Sequence, residues 1–180
     1  MKRIFVFLMV SLVVISALFA SNSSIEAQFS PFSFQKIKTN VPADFNSKYG
    51  WGLKVGYRYN FTKLYYAGAD VSYLDYKYTD QSNHYHVCSI VAKFGIIANI
   101  SNSFKVDVNL GSGMDIRSWG STTKTYPTFG LYAGGIYYVS EKVGITAGAD
   151  LRFTWQKNND KTFNSFDLNI VSNLGARINL

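Results

Sequence analysis

A single cysteine, Cys88, stands in 180 residues, so an internal disulfide framework is excluded. Its neighbours make it a small apolar strand residue. Histidine is almost as scarce: His84 and His86 are the two in the chain, and a metal site there would lack a third ligand. No cofactor is expected. Beyond the N-terminal segment no run of about 18 apolar residues occurs, which excludes a transmembrane helix. The excess of basic over acidic residues, +7 overall, is spread along the chain rather than gathered into a patch. Nucleic-acid binding is excluded on that ground. At 47% hydrophobic residues, the chain is not a disordered charged tail.

What is abundant is aromatic: 17% of the residues, mostly Tyr and Phe. The length is one domain's worth. Met1-Lys2-Arg3 followed by the apolar run Ile4–Ala20 and the polar SNSS reads as a secretory signal peptide spanning 1–27. Cleavage falls after Ala20 or Ala27, with Ala27 favoured and Gln28 as the new terminus. Glu26 is thereby counted with the leader. No cysteine lies near either site, which excludes a lipid anchor.

The clearest stretch is Phe104–Arg117. Phe104, Val106, Val108, Leu110, Met114 and Ile116 alternate with Lys105, Asp107, Asn109, Gly111, Gly113, Asp115 and Arg117. A period of two predicts a strand. At about 3.3 Å per residue it would run roughly 45 Å, far beyond a soluble strand and enough to cross a membrane when tilted. The same alternation recurs over Tyr49–Asn60, Tyr65–Tyr73, Cys88–Ile96, Thr128–Tyr137, Val143–Gln156 and Phe166–Leu180. Short connections (60–63, 101–103, 140–142) alternate with longer polar ones (79–83, 118–125, 157–164). That is an up-and-down meander, tight turns at one end and loops at the other. Even closure needs an eighth strand before Tyr49, and the 30–38 segment supplies it. The fold expected is all-β: an eight-stranded antiparallel up-and-down transmembrane β-barrel over 28–180, preceded by a signal peptide.

The polar face decides which way the barrel is turned. It is rich in glycine, and strand glycines gain nothing on a solvent-exposed face, whereas a narrow lumen needs small residues beside long charged ones. It also carries Lys54, Arg58, Lys93, Lys105, Arg117, Arg152 and Arg177 against Asp70, Asp107, Asp115, Asp150 and Asp167. Such near-balance suits a packed interior of paired ions. The apolar face has Tyr57, Tyr59, Tyr65, Tyr73, Tyr137 and Trp155 toward its strand ends, as an interfacial aromatic girdle would.

This pattern resembles the small outer-membrane β-barrels, the OmpA transmembrane domain and OmpX class, over about residues 30–180. The resemblance implies a bacterial outer-membrane location and folding by the outer-membrane assembly machinery with periplasmic chaperones. It also implies an assembly signal in the last strand, here Leu174, Ala176, Ile178 and Leu180, ending in Leu rather than an aromatic residue. Outer-membrane lipid is then the surrounding partner, and the barrel is a monomer. The function expected is non-catalytic, structural or surface-interacting, with a lumen too full to be a general pore. Two alternatives stand beside it. One is a lipid-modifying barrel enzyme using His84 or His86 with Ser82, Ser89 or Asp80. The other is a soluble exported lipocalin-like barrel with its apolar face inward around a ligand.

Overall fold

The computed structural model describes residues 22–39, 45–78, 84–157 and 164–180. Period-two sequence becomes strand in every one of these segments: β1 (Ser23–Thr39), β2 (Phe45–Asn60), β3 (Tyr65–Tyr78), β4 (His84–Asn99), β5 (Phe104–Trp119), β6 (Thr122–Tyr138), β7 (Val143–Lys157) and β8 (Asn164–Asn179). Each strand pairs antiparallel with its sequence neighbours, and β1 closes onto β8. Closure removes the free sheet edges that a bilayer could not hydrogen-bond.

The faces are inverted relative to a soluble barrel. Leu53, Val55, Val71, Ile90, Phe94, Leu110, Met114, Ile145 and Leu174 are exposed on the outside, while Arg58, Asp107, Asp115, Arg117, Asp167 and Arg177 are buried inside. An exterior of this kind is stable only against lipid. The apolar-inward lipocalin-like arrangement is therefore not the one the chain adopts.

The short turns at one end are held by hydroxyls. Ser101 Oγ accepts from the amides of Ser103 and Phe104, Ser140 Oγ from Val143, and Thr62 Oγ1 from Leu64 and Tyr65. Such side chains fold back onto the turn amides and fix where each strand restarts.

One expectation is extended and one corrected. The first strand includes the expected 30–38 but is longer, from Ser23 to Thr39, so Ser23–Ala27, placed by the sequence reading within 1–27, pair in the barrel wall. The apolar stretch preceding them masks the alternation of Ser24, Glu26 and Gln28 against Ile25, Ala27 and Phe29. The polar segment 118–125 is not a loop. β5 continues to Trp119 and β6 starts at Thr122, leaving a two-residue connection. Gly120, at φ +56°, takes the left-handed conformation such a hairpin turn requires. Threonines read as loop because polarity was taken for irregularity, yet strand clear of lipid needs no apolar face. The expected loops at 79–83 and within 157–164 lie largely outside the described residues.

The β1–β8 seam carries an irregularity. Between Phe29 and Ser33 the register slips by one residue against β8, a bulge in β1 containing Pro31. Ser172, on the outer face of β8, repairs it. Its Oγ accepts from the Phe32 amide at 3.2 Å and donates to the Phe32 carbonyl at 2.7 Å. Val171 beside it turns inward, so the polar and apolar faces trade places for one pair of residues. Ser172→Ala should leave both backbone groups unpaired against lipid, lowering stability by about 1–3 kcal/mol. A urea-unfolding midpoint in lipid vesicles equal to that of the wild type would show the bulge does not need this hydroxyl.

Candidate functional site

The lumen is organised in three tiers along the barrel axis. At the tight-turn end, Asp107 on β5 accepts from Arg58 on β2, from Arg177 on β8 at 2.9 Å and from the Tyr66 hydroxyl on β3 at 2.7 Å. Glu26 on β1 completes the cluster, with Arg58 at 2.6 Å and Arg177 at 2.8 Å. The Arg58 guanidinium also lies 4.7 Å from the centre of the Tyr66 ring. Glu26, counted with the leader in the sequence reading, is thus a member of the most tightly connected ion cluster in the described barrel.

In the middle tier Lys54 pairs with Asp150 at 2.8 Å, and Asn173 donates to the same carboxylate. Lys93 pairs with Asp70. Gly56 makes room for that pair: a Cβ there would run into the Asp70 carboxylate. The third tier, toward the loop end, joins Arg117 to Asp115 and Asp167. Ser89 and Thr154 donate to Asp115, and Arg152 donates to Ser72 and Ser89.

Six acids (Glu26, Asp70, Asp107, Asp115, Asp150, Asp167) therefore meet six bases (Lys54, Arg58, Lys93, Arg117, Arg152, Arg177) across the lumen. Balance matters here because an uncompensated charge in such a setting costs several kcal/mol. Lys105 stands apart from these pairs. It is half-buried at the tight-turn end, its ammonium 4.7 Å from the Tyr138 ring centre. Alternation assigned it to the right face but could not say that β5 had already left the packed region.

Other lumen residues were not legible as such. Leu74, Tyr76, Tyr85, Val87 and Val171 point inward and form an apolar cluster near the loop end. Their signal was a run of apolar residues on both faces, as in Val87 beside Cys88, which period-two reasoning leaves unassigned. Among the described residues, a cavity of about 20 Å³ lies in the centre among Asp70, Lys93, Asn109, Thr128, Asp150 and Arg152. That volume holds about one water. The described lumen is lined by paired charges and packed side chains.

The girdle residues lie on the outside. Tyr57, Tyr59, Tyr65 and Tyr137 stand at the tight-turn end, Tyr73 and Trp155 at the loop end. Trp51, which packs edge-on against Tyr73 at 5.9 Å, extends this set. Leu174, Ala176 and Ile178 face outward along β8, and Leu180, just past its end, is exposed.

Of the residues considered for catalysis, the described ones are not brought together. His84 and His86 sit on the outer face of β4, whereas Ser89 faces the lumen and is bonded to Asp115. Odd and even positions of one strand cannot share a site. Ser82 and Asp80 lie outside the described residues. Among the described residues no group of three or more His, Cys, Asp or Glu side chains is placed to hold a metal.

Among the described residues, β6 outruns its pairing with β7. The β5–β6 pairing runs to Trp119 opposite Thr122, but the β6–β7 pairing starts only at Thr128 opposite Thr154. Pro127, which has no amide hydrogen, stands where that ladder stops. At 125–127, then, β6 follows β5 but shares no rung with β7 among the described residues.

No family model matches the chain, and no curated protein does. Solved structures do match. The neisserial surface protein NspA aligns with a TM-score of 0.62 and 18% identity, over 88% of this chain and 97% of that one. The fold is that of the small outer-membrane barrels. Ail, the attachment invasion locus protein of Yersinia pestis, aligns with a TM-score of 0.52 and 13% identity, over 87% of this chain and 99% of that one. At these identities the likeness is one of architecture.

Proposed function

We propose that this chain is a non-catalytic barrel of a bacterial outer membrane whose task is surface interaction, carried by the raised β5–β6 hairpin. The observation that supports this reading is the β6 edge at 125–127, which continues beyond the last rung shared with β7 among the described residues. An edge of this kind accepts an extended segment of another protein by strand addition, with main-chain hydrogen bonds supplying the affinity. A lumen filled by paired charges supports a structural wall rather than a transport route. The two matched structures, a surface protein and an attachment protein, fit the same reading.

The test uses the folded barrel in detergent against an array of extended, β-forming peptides. Wild type should retain a subset, and Thr125→Pro should lose at least about tenfold in affinity, since a proline removes an edge donor. The heat-dependent shift of the folded barrel on an SDS gel should persist in the variant. Equal retention by both proteins would sink the hairpin reading, and recovery of the protein outside the outer-membrane fraction would sink the location.

Processing belongs to the same reading. Cleavage after Ala27 would remove Ser23–Ala27 from β1 and leave Arg58 and Arg177 without Glu26. We propose cleavage after Ala20 instead, retaining Ser23–Ala27. The intact mass of the protein purified from outer membranes should correspond to a chain beginning at Ser21. A mass beginning at Gln28 would show the barrel closing on a shortened first strand.

A further inference from the structure

Most of the outer surface is aliphatic or aromatic. One patch across β2, β3 and β4 near the loop end adds imidazoles and charges to its aromatics. Trp51, Tyr73, His86 and His84 form a continuous row of rings, with successive centroids 5.9, 5.8 and 6.2 Å apart. The Tyr73 hydroxyl lies 2.7 Å from His86 Nδ1, and Asp75 lies 2.9 Å from His84 Nδ1 and 3.7 Å from His86 Nδ1. Both imidazoles are thus held by their Nδ1 atoms while about half of each side chain stays exposed. Lys77, exposed, is directly opposite His84 in the ladder. Toward the middle of the barrel the same face continues as exposed Leu53, Val71 and Ile90. The row starts where the lipid-facing aliphatic band stops, which is the depth of lipid headgroups.

The charge of this patch depends on its imidazoles. With both neutral, Lys77 and Asp75 cancel; with both protonated, the patch carries two net positive charges. The other titratable groups on this face are Tyr49 and Tyr73 on β2 and β3 and Cys88 on β4, while β5 contributes Ile116 and Ser118. Asp75 is the one carboxylate facing the pair among the described residues. Imidazole is the side chain that changes charge between about pH 5 and 8.

We propose that this row is a docking site for the phosphate of a membrane-lipid headgroup, engaged in acid and released above neutrality. The aromatic rings supply the interfacial seat, and the protonated imidazoles with Lys77 supply the anion's counter-charge. The site rests on the barrel being seated in a membrane and is independent of the β6 edge.

The test measures binding of short-chain phosphatidylglycerol to the folded, detergent-solubilised barrel by native mass spectrometry, at about pH 5.5 and about pH 8. That headgroup keeps its charge across the range. Wild type should bind at least about tenfold more tightly in acid, as expected for two added charges beside a phosphate. The His84→Gln/His86→Gln double variant should bind at the weaker level at both pH values. Short-chain phosphatidylcholine should show no acid gain. The proposal is overturned if the double variant keeps the pH dependence, or if wild type shows none. Inorganic phosphate competing as well as the lipid would overturn it too, by making the row a general anion site. A heat-dependent gel shift recorded in each sample reports the fold separately, so loss of the barrel is distinguishable from loss of the site.

Discussion

Asp107→Leu should destabilise the folded barrel by about 3–5 kcal/mol, the largest loss expected of any single lumen change. Asp107 is fully buried and accepts from Arg58, Arg177 and Tyr66 at once. Removing its carboxylate leaves two guanidiniums sharing Glu26 and a buried phenol with no acceptor. The loss is therefore mostly the penalty of stranded partners rather than the worth of the pairs themselves. The check is equilibrium unfolding by urea in lipid vesicles, with the gel shift as the folded-state marker. Arg58→Met made together with Asp107→Leu should recover part of the loss, because one of the stranded charges goes with it. A double variant as unstable as the sum of the two single ones would show that the two residues act independently.

Leu110→Arg should cost about 2–4 kcal/mol in vesicles, the figure for a cation placed at mid-bilayer depth on a barrel exterior. Leu110 lies near the middle of β5, half exposed on the outer face, with Phe94 and Leu131 as its ladder neighbours. An exposed leucine on a water-facing sheet would tolerate the same change within a few tenths of a kcal/mol. The direction and size of this effect thus read out what surrounds the barrel. Unchanged stability would mean that water, not lipid, meets this face. The two substitutions also separate the barrel's two sides, since one strands a charge inside and the other forces a charge out into hydrocarbon.

Much of this architecture was legible before any coordinates. Strand alternation is a local property: side chains at i and i+2 share a face wherever the backbone is extended. Phe104–Arg117 therefore announced both a strand and its two faces. The glycines on the polar side announced a lumen, because nothing but crowding explains them there. The alternation of short and long connections announced the meander. Where the reading failed, a local signal was ambiguous. At Ser23–Ala27 the adjoining apolar stretch hid the pattern, and at 122–125 threonines outside the lipid depth looked like loop. At Val171-Ser172 the faces exchange because one residue fills an apolar pocket and the other closes a bulge across the seam.

Which charge meets which was never a local question. The chain itself determined that acids and bases would line the same interior in near-equal number, and that its aliphatic side chains would face outward. Closure alone decided that Glu26 reaches Arg177, that Asp107 binds arginines from β2 and β8, and that Arg117 meets Asp167. Those partners lie on strands far apart in sequence, and the register and stagger of the closed sheet bring them to one height in the lumen. Faces follow from the period of a strand; partners follow from how eight strands are sheared against one another.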